Sequence, residues 1–135
     1  MPIYQKFECF VENLAEGAHN LGSDTLKVAL SNTLPVVTNT VLSNISEISY
    51  TNLSTRAITT STSAQTSGTY KLVLTDLVLT ATGAVGPFTY VIIYNDTSAS
   101  DKLIAFVTLD SAVTLANNDT YTIDFSSQNG VLQLA

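Results

Sequence analysis

Two adjoining segments set the tightest constraint on what this chain can fold into. Tyr90-Val91-Ile92-Ile93-Tyr94-Asn95-Asp96 and Asp101-Lys102-Leu103-Ile104-Ala105-Phe106-Val107 are short apolar runs, joined by the turn-forming Thr97-Ser98-Ala99-Ser100. Strand side chains alternate between two faces. Read as a hairpin, Tyr90, Ile92 and Tyr94 point one way and Val91 and Ile93 the other. Leu103, Ala105 and Val107 alternate with Ile104 and Phe106 in the same manner. A half-solvated antiparallel strand reads apolar, polar, apolar. This pair has no polar face, so both sides need a cover: a second sheet on one, and a loop, a helix or another molecule on the other. The expected architecture is a β-sandwich.

The rest of the chain fits that expectation. Leu26, Val28 and Leu30 alternate with Lys27 and Ala29. Tyr70, Leu72, Leu74 and Asp76 alternate with Lys71, Val73 and Thr75, and the run continues to Leu79 as one long strand. Its apolar phase shifts near Asp76, which predicts a bulge or kink there. Residues 54–66 are small and hydroxylated, and their threonines favour an outer or edge strand over a loop. Val113 and Leu115, then Tyr121, Ile123 and Phe125, then Val131, Leu132 and Leu134 mark three short strands. Turns at 117–119 and 128–130 separate them. One helix is expected: Phe7, Phe10, Val11 and Leu14 fall at i, i+3, i+4 and i+7, about three turns ended by Gly17. Short strands with turn chemistry between them mark an all-β sandwich or barrel. The reading is a single domain: residues 1–23 form an N-terminal arm and helix, and residues 24–135 an antiparallel β-sandwich of jelly-roll type with about eight strands.

Charge narrows the partners. Charged residues are 12 % of the chain, about half the share of an ordinary globular domain. Such a surface has little repulsion to keep copies apart, which fits a subunit covered in an assembly, or a monomer solubilised by hydroxyls and amides. The net charge is −6, and Lys6, Lys27, Arg56, Lys71 and Lys102 are dispersed. Phosphate backbones and anionic membranes are held by clustered basic side chains. No nucleic acid and no membrane is therefore expected as a partner. No apolar run approaches the roughly 18 residues that span a bilayer. The first residues lack a signal-peptide pattern, which predicts synthesis and folding in a cytoplasm.

Catalytic and metal chemistry lack raw material. With one cysteine, Cys9, no intrachain disulfide forms, and with one histidine, His19, no zinc site can be assembled. A serine triad would have to use His19, in a turn with no nucleophile elbow nearby. Asp96 and Asp101 flank hydroxyls in a way that suggests Ca²⁺, but their spacing matches no calcium loop. Hairpin-turn residues is the plainer reading. Asp76 belongs on the solvent face, at a bulge or against a lysine, because burying an unpaired carboxylate is costly. No cofactor and no catalytic residue is expected. Surface recognition remains, and aromatic residues are enriched at interfaces. Tyr4 and Tyr50 lie outside the clear strands, while Phe7, Phe10, Tyr90 and Tyr94 lie on the arm and the two-faced hairpin. These six are the candidate interface residues, with ordinary core and rim as the competing reading.

The segment Phe10-Val11-Glu12-Asn13-Leu14-Ala15-Glu16-Gly17-Ala18-His19-Asn20-Leu21-Gly22-Ser23-Asp24-Thr25-Leu26-Lys27-Val28 resembles the opening of small phage virion proteins, often encoded beside the major capsid protein. Gly86-Pro87-Phe88-Thr89-Tyr90-Val91-Ile92-Ile93-Tyr94-Asn95-Asp96 with Leu103-Ile104-Ala105-Phe106 resembles the same group. So does Asp119-Thr120-Tyr121-Thr122-Ile123-Asp124-Phe125 with Gly130-Val131-Leu132. The resemblance implies a capsid decoration, or cement, protein of a tailed bacteriophage. Such proteins bind the outer surface of the expanded shell at symmetry or quasi-symmetry axes, as homotrimers or homodimers, and lock neighbouring major capsid protein subunits together. The implied location is the virion exterior, after synthesis in the host cytoplasm. The alternative is a receptor- or glycan-binding head-fibre or tail adhesin module.

Overall fold

The computed structural model describes residues 3–125 and 132–134. The expected turn at 128–130 and Val131 lie outside them. One layer is a five-stranded antiparallel sheet. Its members are β1 (Ile3–Lys6), β2 (Leu26–Ser31), β3 (Ala57–Ile58), β7 (Val85–Asn95) and β8 (Lys102–Leu115), in the spatial order β1-β8-β7-β2-β3. The opposing layer is split. β4 (Thr60–Thr66), β5 (Thr69–Leu74) and β10 (Leu132–Leu134) form a sheet of order β10-β5-β4, and β6 (Leu77–Thr80) pairs with β9 (Thr120–Ile123). The chain is thus an all-β sandwich. Strands in sheets of five, three and two stand where about eight were expected, and this order does not establish a jelly roll.

The main core lies between the layers. Val28 and Leu30 of β2 and Val91 and Ile93 of β7 pack against Leu72 and Leu74 of β5, Leu79 of β6 and Ile123 of β9. Each such side chain contributes about 1.5–3 kcal/mol by leaving water. The hairpin's other face carries a second cluster. Ala29, Ile92, Tyr94, Leu103 and Phe106 are sealed by Phe7 and Ile45, with Val37, Leu42, Cys9 and Tyr90 around them. Val37, Leu42 and Ile45 belong to the long connection from β2 to β3. Of the covers open to the second face, a loop of the same chain is the one used.

Within the two apolar runs, strand alternation differs from expectation at one point. Ile93 faces Ala105 while Tyr94 faces Leu103, so Ile104 is an extra residue at a bulge. Ile104, Ala105 and Val107 consequently join the main core, while Leu103 and Phe106 join the outer cluster. A bulge shifts the period of two by one residue, and the shift depends on the partner strand.

The run from Tyr70 to Leu79 is two strands in two sheets, not one kinked strand. The break falls at Thr75 and Asp76. Exposed Asp76 accepts the Phe125 N–H at 2.8 Å, which ties the chain beyond β9 across the gap. The threonine-rich segment supplies β3 and β4, crossing from the large sheet to the small one at Thr59, and β4 occupies an edge.

The helix, α1 (Cys9–Ala15), is shorter than its apolar spacing suggested, and Phe7 precedes it. It ends as a Schellman motif: Gly17 has φ +83°, the Ala18 N–H reaches Asn13 O at 2.8 Å, and the Gly17 N–H reaches Leu14 O at 3.3 Å. The arm clasps the β1 edge of the large sheet. Phe7 packs on Phe106 in the outer cluster (ring centroids 5.1 Å apart), and Phe10 enters the main core.

Two adjacent substitutions test the double burial. Ile92→Ala empties the outer cluster and Ile93→Ala the main core, and both side chains are fully buried. Each variant is expected to lose about 2–5 kcal/mol in urea unfolding. A near-neutral Ile92→Ala would mean that the outer face is open to water.

Candidate interaction surface

The fold separates the six candidate aromatics. Phe7, Phe10 and Tyr94 are 0, 3 and 2 % exposed. As interface residues they are corrected: their own chain covers them, Phe7 and Tyr94 within the outer cluster and Phe10 within the main core. Tyr90 is half-buried at the rim of the outer cluster. Tyr50 is held from within. Its hydroxyl accepts the Leu30 N–H at 2.9 Å and donates to Glu47 Oε1 at 2.7 Å. The Arg56 guanidinium lies over its ring, 3.8 Å from the centroid, and donates to Val28 O at 2.8 Å. Burial is the main reason that the Tyr50 hydroxyl titrates well above its ordinary value. Tyr4, on β1, is the one of the six that is exposed, at 44 %.

Exposed apolar side chains occur on the covering loop, β6, α1 and β10. Leu34 and Val36 flank Pro35 in the covering loop and are 61 and 56 % exposed. Val78 projects from β6, and Val11 and Leu134 project from α1 and β10. Val11 belongs to the apolar stripe read as inward-facing, but only Phe10 of that helix is buried. Val11, Leu14 and Ala15 line a groove of about 370 Å³ with Leu132 and Leu134. A second, more polar cleft of about 600 Å³ opens between the turn after α1 and the small sheet, lined by His19, Asn20, Ser63, Tyr70 and Leu134 among others.

Below this cleft a polar knot joins the turn to the tip of the hairpin. Asn95 is fully buried. Its Oδ1 accepts the N–H groups of Thr97 and Ser98 at 3.0 and 3.2 Å. Those two donors fix the amide orientation, so Nδ2 is the atom that meets Asp24 Oδ2 at 2.7 Å and His19 Nδ1 at 2.9 Å. His19 Nδ1 therefore accepts, and the ring is neutral with its proton on Nε2. Nε2 is buried without a partner among the described residues, and the Phe10 ring lies 5.3 Å from the imidazole, centroid to centroid. Burial pushes the His19 pKa down. The nearby Asp24 carboxylate opposes the shift and Lys102 reinforces it.

Asp96 pairs with Lys27 at 3.3 Å. Asp101 sits at φ +52°, with its N–H on Ser98 O at 3.2 Å. Both serve the hairpin turn, and among the described residues no three His, Cys, Asp or Glu side chains group as metal ligands. Cys9 opens α1 half-buried, its thiol pKa raised chiefly by burial. No described helix is long and apolar enough to cross a membrane. Compared with protein-family models, curated proteins and solved structures, the chain matches none.

The His19 knot predicts a pH dependence. The unfolded histidine takes up its proton near pH 6.5, and the folded one at lower pH. Between those values the unfolded chain binds more protons, so stability falls as pH drops below about 6.5. His19 is the only histidine. The thermal midpoint of the wild type should therefore fall from pH 7 to pH 5 more steeply than that of His19→Gln. Equal slopes would show that the ring protonates as easily folded as unfolded.

Proposed function

We propose that this protein is a structural virion subunit that binds the outer surface of a phage capsid and cements neighbouring major capsid protein subunits. The reading rests on the resemblance of its N-terminal, hairpin and C-terminal segments to phage decoration proteins. One physical observation carries it: a charge-poor sandwich displays apolar side chains at separate points of its exterior, with Tyr4, Leu34, Val36 and Val78 each more than 40 % exposed. Scattered small contacts of this kind are weak singly. Repeated on a symmetric lattice they add up, because each engaged contact raises the effective concentration of the next. No catalytic step is part of this role.

The second reading, a receptor- or glycan-binding head-fibre or tail module, draws on the 600 Å³ cleft, where Ser63, Tyr70 and Asn20 stand among mainly apolar walls. Copy number separates the two. Particles carrying the protein should hold it in numbers on the order of hundreds, spread over the icosahedral shell. Particles lacking it should release DNA at lower temperature. A few copies at a single vertex, with unchanged shell stability, would favour the receptor-binding role and end the cement reading.

A further inference from the structure

The free edge of the small sheet carries an inference of its own. β4 is terminal in the order β10-β5-β4, so one side of its backbone faces β5 and the other has no strand among the described residues. Five of its seven residues are exposed and the other two half-buried. Natural sheets guard such edges with charges, proline or bulges. Thr60–Thr66 reads TSTSAQT, without charge or proline, and its one irregularity lies between Thr60 and Thr62, leaving 62–66 regular.

The turn fixes which backbone groups are free. Ser67 and Gly68 both have positive φ, 52° and 83°, and they close a two-residue hairpin at the pair Thr66 and Thr69. The closing pair of such a hairpin exchanges both of its hydrogen bonds, and the ladder alternates from there. Thr66, Ala64 and Thr62 thus bond to β5, while Gln65 and Ser63 direct their N–H and C=O groups outward.

We propose that this edge pairs with the same edge of a second copy of the chain, antiparallel about a two-fold axis at Ala64. In that register Ser63 faces Gln65 of the second copy and Gln65 faces Ser63, so the outward donors and acceptors satisfy one another. Ala64 meets its own counterpart at a non-hydrogen-bonded position, where Cα atoms approach to about 4.5 Å, and a small side chain suits that spacing. Thr62 faces Thr66 of the second copy, a pairing that adds cross-strand hydroxyl contacts. An isologous interface places each residue near its own copies, and a charge-free strand opposes no like charges there. Two three-stranded sheets become one of six strands. The pairing is a property of the chain alone and does not depend on a shell.

Sedimentation velocity on the full chain tests it, across about three decades of concentration, because association follows mass action. The wild type should pass from monomer to dimer. Ala64→Lys and Ala64→Glu each set like charges face to face across the axis and should weaken association by up to about fivefold. An equimolar mixture of the two variants should restore it, since opposite charges then meet. Independently of any variant, the Ser63 and Gln65 amides should gain hydrogen-exchange protection as concentration rises. A wild type that stays monomeric, variants that associate as well as wild type, a mixture without rescue, or Ser63 and Gln65 amides indifferent to concentration would each overturn the proposal.

Discussion

Burial of the β7–β8 hairpin on both faces is the demand that the remaining architecture answers. Ile92 and Ile93 are sequence neighbours, point to opposite sides and are both fully buried. One needs an opposing layer, which the two smaller sheets supply. The other needs a cover from chain that is neither strand nor long helix. A loop laid over a sheet must still satisfy its backbone. It does so by bonding to the sheet it covers: the Leu42 N–H to Asp101 O and the Ile48 N–H to Leu30 O, both at 3.0 Å, with the Leu103 N–H returning to Thr40 O at 3.1 Å. The loop is held by these bonds as well as by Val37, Leu42 and Ile45.

The same demand organises the polar groups. With few charges available, the hairpin tip is fixed by amides and hydroxyls. Asn95 bonds four neighbours through its side chain, and Ser98 Oγ donates to Asn95 O and accepts the Lys102 N–H. Buried polar networks hold well when every member is satisfied. Here the exception is His19 Nε2; acid would protonate the other ring nitrogen, Nδ1, and break its bond from Asn95 Nδ2. For recognition, the consequence is that the hairpin face itself is unavailable. The exposed apolar side chains lie elsewhere, at Leu34 and Val36 of the covering loop, at Val78 of β6 and along the α1–β10 groove.

The two-faced hairpin, the edge position of the threonine-rich strand and the Gly17 helix stop were legible in the sequence, because each follows from local periodicity or turn chemistry. What escaped depended on distant partners. The Ile104 bulge is defined by its register against β7. The division of residues 69–80 between two sheets depends on β9 and β10. Residues 32–49 carry no period, so their role as a lid over the outer cluster had no local signature. The misplacement of Phe7 and Tyr94 as interface candidates follows from that gap, because an uncovered apolar face implies a partner and their cover is the same chain; Phe10 instead enters the main core. Asp76 was read correctly as a solvent-side residue at an irregularity, but its Phe125 partner lies 49 residues away.

The cement reading draws on the scattered apolar points of the surface, and the self-pairing edge on the uncharged backbone of β4. Both assume that the hairpin is already closed by its own chain. Native-state hydrogen exchange at low concentration measures that most directly. The Val91–Tyr94 and Leu103–Phe106 amides should exchange only through global unfolding, as the last to do so, while the Ser63 and Gln65 amides exchange freely. Fast exchange along β7 and β8, well below the global unfolding free energy, would mean that the loop does not seal the outer face. The hairpin would then need another molecule to cover it.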